Sequence, residues 1–289
     1  MLEMLGMQLF TGLSLGLVFV LLALGLNLIL GLMGVVNFVH GAFFMIGAYM
    51  TFTLAPKIGF GFAILIGALL VGFIGILIEV PMIRRVYSRI PEYGLLLTFG
   101  MTLIIEQLTR IIWGDFPQPI SPPSFLAGGI NLGFMEFPMY RFFVMLITLV
   151  IIGAVWLFLT KTNFGMVIRA GIEDRLMVGA LGVNLPLTFT IVYGIGAALG
   201  AIAGAIASPL YGVSPSMGGE FIIYAFIVVI VGGIGSFWGS IAGGLLVGIV
   251  QSLVVLIWSP AQQMSSFIIL ALVLLLRPRG LFGVEGALD

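Results

Sequence analysis

Cysteine is absent, histidine occurs once, and lysine is found only at Lys57 and Lys161. Without cysteine there are no disulfides, no thiolate metal sites and no thiol catalysis. The lone histidine, His40, excludes histidine-built metal cages and paired-histidine proton relays. Neither lysine follows a glycine, so the phosphate-cradling pattern GxxxxGK[ST] is missing too. Charge is the larger deficit. Only 8% of the 289 residues are Asp, Glu, Lys or Arg, against about 25% in soluble domains. With 11 basic and 11 acidic residues there is no basic excess to neutralise phosphates, which excludes a nucleic-acid partner. So few charges cannot tile a water-facing surface. A hydrophobic share of 61% and a mean hydropathy of +1.30 identify an integral membrane protein.

The charge-free runs outline the architecture. None of Asp, Glu, Lys or Arg occurs from Met4 to Pro56, from Leu176 to Gly219, or from Phe221 to Leu276. A spanning helix needs about 20 residues, so each run folds back at least once. The segments are continuously apolar and do not alternate with period two, which favours helices over a barrel. Spans are predicted near 8–30, 37–56, 62–83, 93–113, 139–160, 187–209, 221–235, 239–257 and 264–276. The expected fold is an all-α polytopic bundle of about eight or nine transmembrane segments, forming one transmembrane domain over 1–289. The first ten residues hold Glu3 but no basic residue, which argues against a cleaved signal peptide.

Basic residues set the expected orientation. Arg84, Arg85 and Arg89 form one cluster, Lys161, Arg169 and Arg175 a second, and Arg277 and Arg279 a third. Reading all three as cytoplasmic places the N-terminus outside, the C-terminus inside and the loop 114–138 outside. That loop carries Pro117, Pro119, Pro122 and Pro123 and reads as irregular.

Residues 161–186 form the most polar internal stretch. Asn163 is expected as a helix N-cap and Gly182, with Pro186 beyond, as its stop. Ile168, Ile172, Leu176 and Ala180 recur every four residues and should line one face. Arg169 and Glu173 are spaced i,i+4 on another face, beside Asp174 and Arg175. Acidic residues are repelled by anionic headgroups. The mixed charge therefore favours docking onto a soluble partner over adsorption to lipid.

From Gly165 to Asn184 the order ArgAla, GluAsp, AlaLeuGlyValAsn resembles the ATPase-docking loop of ABC importer permeases, in particular the LivH-type permeases of branched-chain amino acid importers. ValValAsnPheValHisGlyAlaPhePheMetIleGlyAlaTyr at 35–49 resembles that family's second-span signature. ValGlyGlyIleGlySerPheTrpGlySerIleAlaGlyGly at 231–244 and ArgProArgGlyLeuPheGly at 277–283 resemble its late motifs. The resemblance implies a second, related permease, two cytoplasmic ATPases, a periplasmic substrate-binding protein and a place in a prokaryotic inner membrane. It also implies that Arg169, Ala170, Glu173, Asp174 and Gly182 occupy docking positions and that no cofactor is held. The missing phosphate loop agrees, since any ATP would be hydrolysed by another chain.

Polar residues inside spans are the other candidates. Asn37 and His40 share a helical face between Gly34 and Gly41, and either line the translocation path or hydrogen-bond between helices. Glu106 and Arg110 are spaced for a self-neutralising ion pair, and Glu79 near Arg84 invites the same structural reading. Glu220 follows Gly218 and Gly219 at the outer end of a span, where a vestibule would open.

Glycine numbers 41. The spacings Gly196/Gly200/Gly204, Gly235/Gly239/Gly243, Gly12/Gly16 and Gly244/Gly248 suit close helix packing or sliding faces. Gly-punctuated breaks at Gly31–Gly41 and Gly212–Gly219 follow spans of opposite direction, as an inverted repeat would require.

The leading expectation is an importer permease for a small apolar solute such as Leu, Ile or Val. Urea, amides or aromatic acids would suit a similar permease. A stand-alone secondary transporter would need ion-coupling residues, for which only Glu79, Glu106 and Arg110 are available. An intramembrane enzyme is disfavoured by the absence of HExxH and by a single histidine with no cysteine.

Overall fold

The computed structural model describes residues 2–87, 89–131, 133 and 136–283. Helices come in the order α1 Leu2–Met33, α2 Val39–Ile58, α3 Phe60–Glu79, α4 Pro91–Trp113 and α5 Met139–Lys161. Two short helices follow, α6 Asn163–Glu173 and α7 Arg175–Ala180. The chain closes with α8 Leu185–Tyr211, α9 Met217–Gly232, α10 Phe237–Val254 and α11 Gln262–Leu276. Among the described residues, eight helices are long and apolar enough to cross a membrane, the last counted from Ser259. α9 is shorter, at 16 residues, or about 24 Å against a hydrocarbon core of about 30 Å.

α1 is the central post. It is apolar on every side, which in a membrane bundle suits a helix surrounded by other helices, and its most apolar window is 94% buried. It packs against α10, α8, α5 and α9, while α8 packs against α3 and α2. α4, α5 and α11 form the outer layer and turn Leu96, Ile104, Ile111, Leu146 and Leu275 outwards. An apolar outer face is what lipid requires.

Close approach explains much of the glycine. A β-carbon on Gly248 would lie 2.3 Å from Gly16 Cα, and one on Gly204 would lie 1.8 Å from the Phe44 carbonyl oxygen. The α1–α10 and α2–α8 crossings therefore tolerate no side chain at these positions. One expected stripe is revised. Gly235 (φ +79°) lies in the turn between α9 and α10, where its left-handed backbone ends the helical spacing shared with Gly239 and Gly243.

Both expected breaks are present, one after Gly34 (φ +66°) and one after Gly212 (φ +72°). Packing partners exchange between the halves: α1 lies on α10 as α8 lies on α3, and α9 touches α1 as α2 touches α8. The breaks lie at opposite ends of the bundle. Gly34 sits beside Arg175, whereas Val213, after Gly212, exchanges backbone hydrogen bonds of 2.8 and 2.9 Å with Gln118 of the 114–138 loop. That loop is less irregular than expected. It closes with a two-stranded hairpin, β1 Gly129–Asn131 and β2 Glu136–Pro138, paired Ile130 to Phe137. Phe137 is buried against Phe10 and Phe142, which anchors the short hairpin.

The three basic clusters share one end. Arg84 donates to the Pro186 carbonyl at 3.4 Å and Arg175 to the Met33 carbonyl at 3.2 Å. Beyond α11, the backbone N–H groups of Leu281 and Phe282 donate to the Val231 and Gly232 carbonyls at 2.8 and 2.9 Å. The tail thus satisfies carbonyls at the C-terminus of α9 that have no partner within the helix.

Candidate functional site

Residues 161–186 form two short helices rather than the single one expected. α6 is capped by Thr162, whose hydroxyl accepts from the Gly165 N–H at 3.0 Å, and Asn163 is its first helical residue. The backbone turns extended at Asp174 (φ −151°, ψ 94°), where the carboxylate accepts from the Met177 N–H at 2.9 Å and starts α7. Asp174 is therefore a cap, because its short side chain competes with helix continuation. Gly182 (φ +88°) makes the turn after α7, and Asn184 caps α8 through a 3.1 Å bond from the Leu187 N–H.

The break at Asp174 rotates the expected apolar face. Ile168 is buried, but Leu176 is 80% exposed and Ala180 also faces outwards; Val178 takes the inward position. Leu176, Met177 and Leu181 form an exposed apolar group at the basic end; of the three, periodicity places only Leu176 on the apolar face. Arg169, Ala170, Glu173, Asp174 and Gly182 are all exposed around it, and Arg169 and Glu173 make no ion pair with each other. Arg169 also lines a cavity of about 240 Å³ with Trp156, Trp238, Asn27 and Ile172, where α6 covers the junction of α1, α5 and α10.

A polar knot lies alongside. Glu79, at the end of α3, is fully buried and accepts from the Tyr87 and Thr190 hydroxyls, each at 2.6 Å. Its two oxygens also accept from Arg84 Nε and Nη2 at 3.3 Å, and Arg84 Nη2 donates to Thr190 Oγ1 at 2.6 Å. The knot joins the end of α3 to the start of α8, the helix that follows α7. Burial, and then the hydrogen bond to Glu79, raise the Tyr87 phenol well above its ordinary range, so it serves as a donor. The Glu79–Arg84 pair was visible in the sequence. Tyr87 and Thr190 were not, because neither spacing nor charge marks them.

The Gly34 break carries the other candidates. Asn37 is fully buried; its Oδ1 accepts from the Tyr193 hydroxyl at 3.2 Å, and its Nδ2 has no partner. Thr98 of α4 accepts from the Phe38 N–H at 3.2 Å and donates to the Val36 carbonyl at 3.1 Å, which pins the non-helical backbone. His40 Nε2 contacts the Leu22 carbonyl at 3.0 Å, and the ring fills the space left bare by Gly25 and Gly200. Gly41 meets the Gly218 backbone where α2 crosses α9. Asn37, His40 and Gly41 thus lie where α1, α2, α8 and α9 converge.

At the opposite end Arg110 holds Glu106 at 2.6 Å and Asp115 at 3.2 Å, so the expected ion pair gains a third member. Among the described residues, no group of three or more His, Cys, Asp or Glu is placed to hold a metal ion.

A bundle of apolar outward-facing helices around a buried post, with polar breaks inside, defines an all-α polytopic membrane protein. The chain belongs to the family described as the permease component of the branched-chain amino acid transport system, whose family model matches residues 8–276. It is 30% identical over 294 residues to the High-affinity branched-chain amino acid transport system permease protein LivH of Escherichia coli (strain K12), covering 96% of this chain and 94% of that one. It is 29% identical over 293 residues to the corresponding protein BraD of Pseudomonas aeruginosa, covering 96% and 95%. A probable LivH of Methanocaldococcus jannaschii is 27% identical over 288 residues, covering 92% and 89%. No solved structure matches the chain significantly.

Proposed function

We propose that this permease imports branched-chain amino acids as one half of an ABC importer's membrane unit. The relatives are named for that substrate class. The observation that carries the partner assignment is the exposed apolar group Leu176, Met177 and Leu181. It lies on and just after α7, in the connection between the spanning helices α5 and α8, at the end holding most of the basic residues. An apolar group outside the lipid calls for a protein cover. Two cytoplasmic ATPases would supply it, docking through this group and through Arg169, Ala170, Glu173, Asp174 and Gly182. A second, related permease completes the pore, and a periplasmic binding protein delivers substrate.

In this reading the whole of 1–289 is one permease domain in the prokaryotic inner membrane, with the N-terminus outside and the basic end cytoplasmic. ATP binding moves 161–186 and reorients the helices about the breaks. Asn37, His40 and Gly41 lie on the substrate path, where the free Nδ2 of Asn37 offers a donor. The Glu106–Arg110 pair is structural. A branched-chain amino acid carries no net charge and an apolar side chain, so a path with few formal charges suits it, and selectivity rests largely with the binding protein.

The test is co-purification from native membranes followed by ATP-dependent uptake of radiolabelled leucine into proteoliposomes. Leu176→Glu with Leu181→Glu should release the ATPases and abolish uptake, as should Arg169→Glu with Asp174→Arg. A permease active on its own, or one whose ATPases stay bound in both double variants, would overturn the assignment.

A further inference from the structure

The second half of α6 is seated on the last turn of α1. A β-carbon on Gly171 would lie 2.6 Å from Leu32 Cδ1, so the bare glycine lets the two helices close. Ile172 fits against Gly31 and Gly235, whose β-carbons would lie 3.7 Å from its Cγ1 and 2.8 Å from its Cγ2. Arg175, the first residue of α7, donates from Nη1 to the Met33 carbonyl at 3.2 Å. Met33 ends α1, so this carbonyl has no helical partner, and a cation there also meets the negative end of the helix dipole. Directly afterwards Gly34 turns the chain into the break that carries Asn37.

These contacts come from both sides of the Asp174 bend and converge on one turn of one helix. We infer that α6 and the last turn of α1 move as a single rigid body, with Arg175 as the positioning residue that keeps α7 attached to it. The drive from the ATPases then enters the membrane at the 34–38 break, beside the buried Asn37–Tyr193 link, rather than being spread over every helix that ends nearby. α1 fits this role because it is the post against which α8, α9 and α10 pack.

The inference rests on reading 161–186 as the docking segment, and the test separates the two. In the co-purified complex, ATP hydrolysis and radiolabelled leucine uptake are measured together. Arg175→Met should keep the ATPases bound but lower uptake per ATP by about fivefold or more, and Arg175→Lys, which still donates, should restore most of it. Because the chain has no cysteine, Leu32→Cys, which removes the Cδ1 that a β-carbon on Gly171 would meet, combined with Gly171→Cys can be bridged directly by mild oxidation to a disulfide and released by dithiothreitol. If seat and helix move together, bridging leaves uptake per ATP unchanged from the released state. Uptake stopped by bridging, or Arg175→Met with unaltered coupling, would overturn the inference. ATPases failing to co-purify with the unmodified permease would instead refute the docking reading.

Discussion

Replacing Glu79 with leucine removes the acceptor at the centre of the knot between α3 and α8, and the structure allows the cost to be apportioned. Thr190 loses little, because its hydroxyl can turn to the Pro186 carbonyl 3.0 Å away. Arg84 also loses little: its side chain is 37% exposed, so water screens the ion pair, and the Pro186 carbonyl and Thr190 Oγ1 remain within reach. Tyr87 bears most of the loss. Its 2.6 Å bond to a buried carboxylate has no substitute, and a hydrogen bond to a charged group contributes about 1.5–3 kcal/mol. Glu79→Leu should therefore destabilise the permease by about 2–4 kcal/mol. Adding Tyr87→Phe should cost little more, giving a coupling energy of about 1–2 kcal/mol. Equilibrium unfolding in mixed SDS micelles, run as a double-mutant cycle, measures both quantities. Strict additivity of the two variants, or a Glu79→Leu cost below about 1 kcal/mol, would refute the account of the knot.

Three further outcomes follow from the geometry. Gly204→Val should prevent assembly of α2 against α8, seen as loss of the monodisperse peak in size-exclusion chromatography, because its β-carbon would meet the Phe44 carbonyl oxygen. Asn27→Leu should cost about 2–4 kcal/mol in the same micelle unfolding, since Asn27 accepts from the Gly235 N–H at 2.7 Å and donates to Ser236 O and Ser240 Oγ at 2.9 and 2.8 Å. A near-neutral result would show that the α9–α10 turn is held by other contacts. Asn37→Ala should lower leucine uptake by about fivefold or more while leaving ATPase binding intact, and unchanged uptake would remove Asn37 from the substrate path.

The helices were legible because a membrane punishes ambiguity. Long apolar runs mark spans with little competition, and the expected spans 93–113 and 139–160 are observed as Pro91–Trp113 and Met139–Lys161. The short helical stretch within 161–186 was legible in position but not in shape. Thr162 and Asn163 are both good caps, so sequence alone could not rank them, and the fourfold spacing through Leu176 concealed the extended backbone at Asp174. The knot and the Asn37–Tyr193 link lay out of reach for another reason. Thr190 and Tyr193 meet partners more than a hundred residues earlier, and a threonine or tyrosine in an apolar helix carries no periodic mark of where it points.

The hydrogen bonds from Leu281 and Phe282 to the end of α9 bear on how the protein is made. α9 is too short to cross comfortably, and its last carbonyls stay open until the segment after α11 has been synthesised. A backbone carbonyl open to hydrocarbon is costly, so α9 has reason to lag during insertion. The segment after α11 is thus what closes the end of α9.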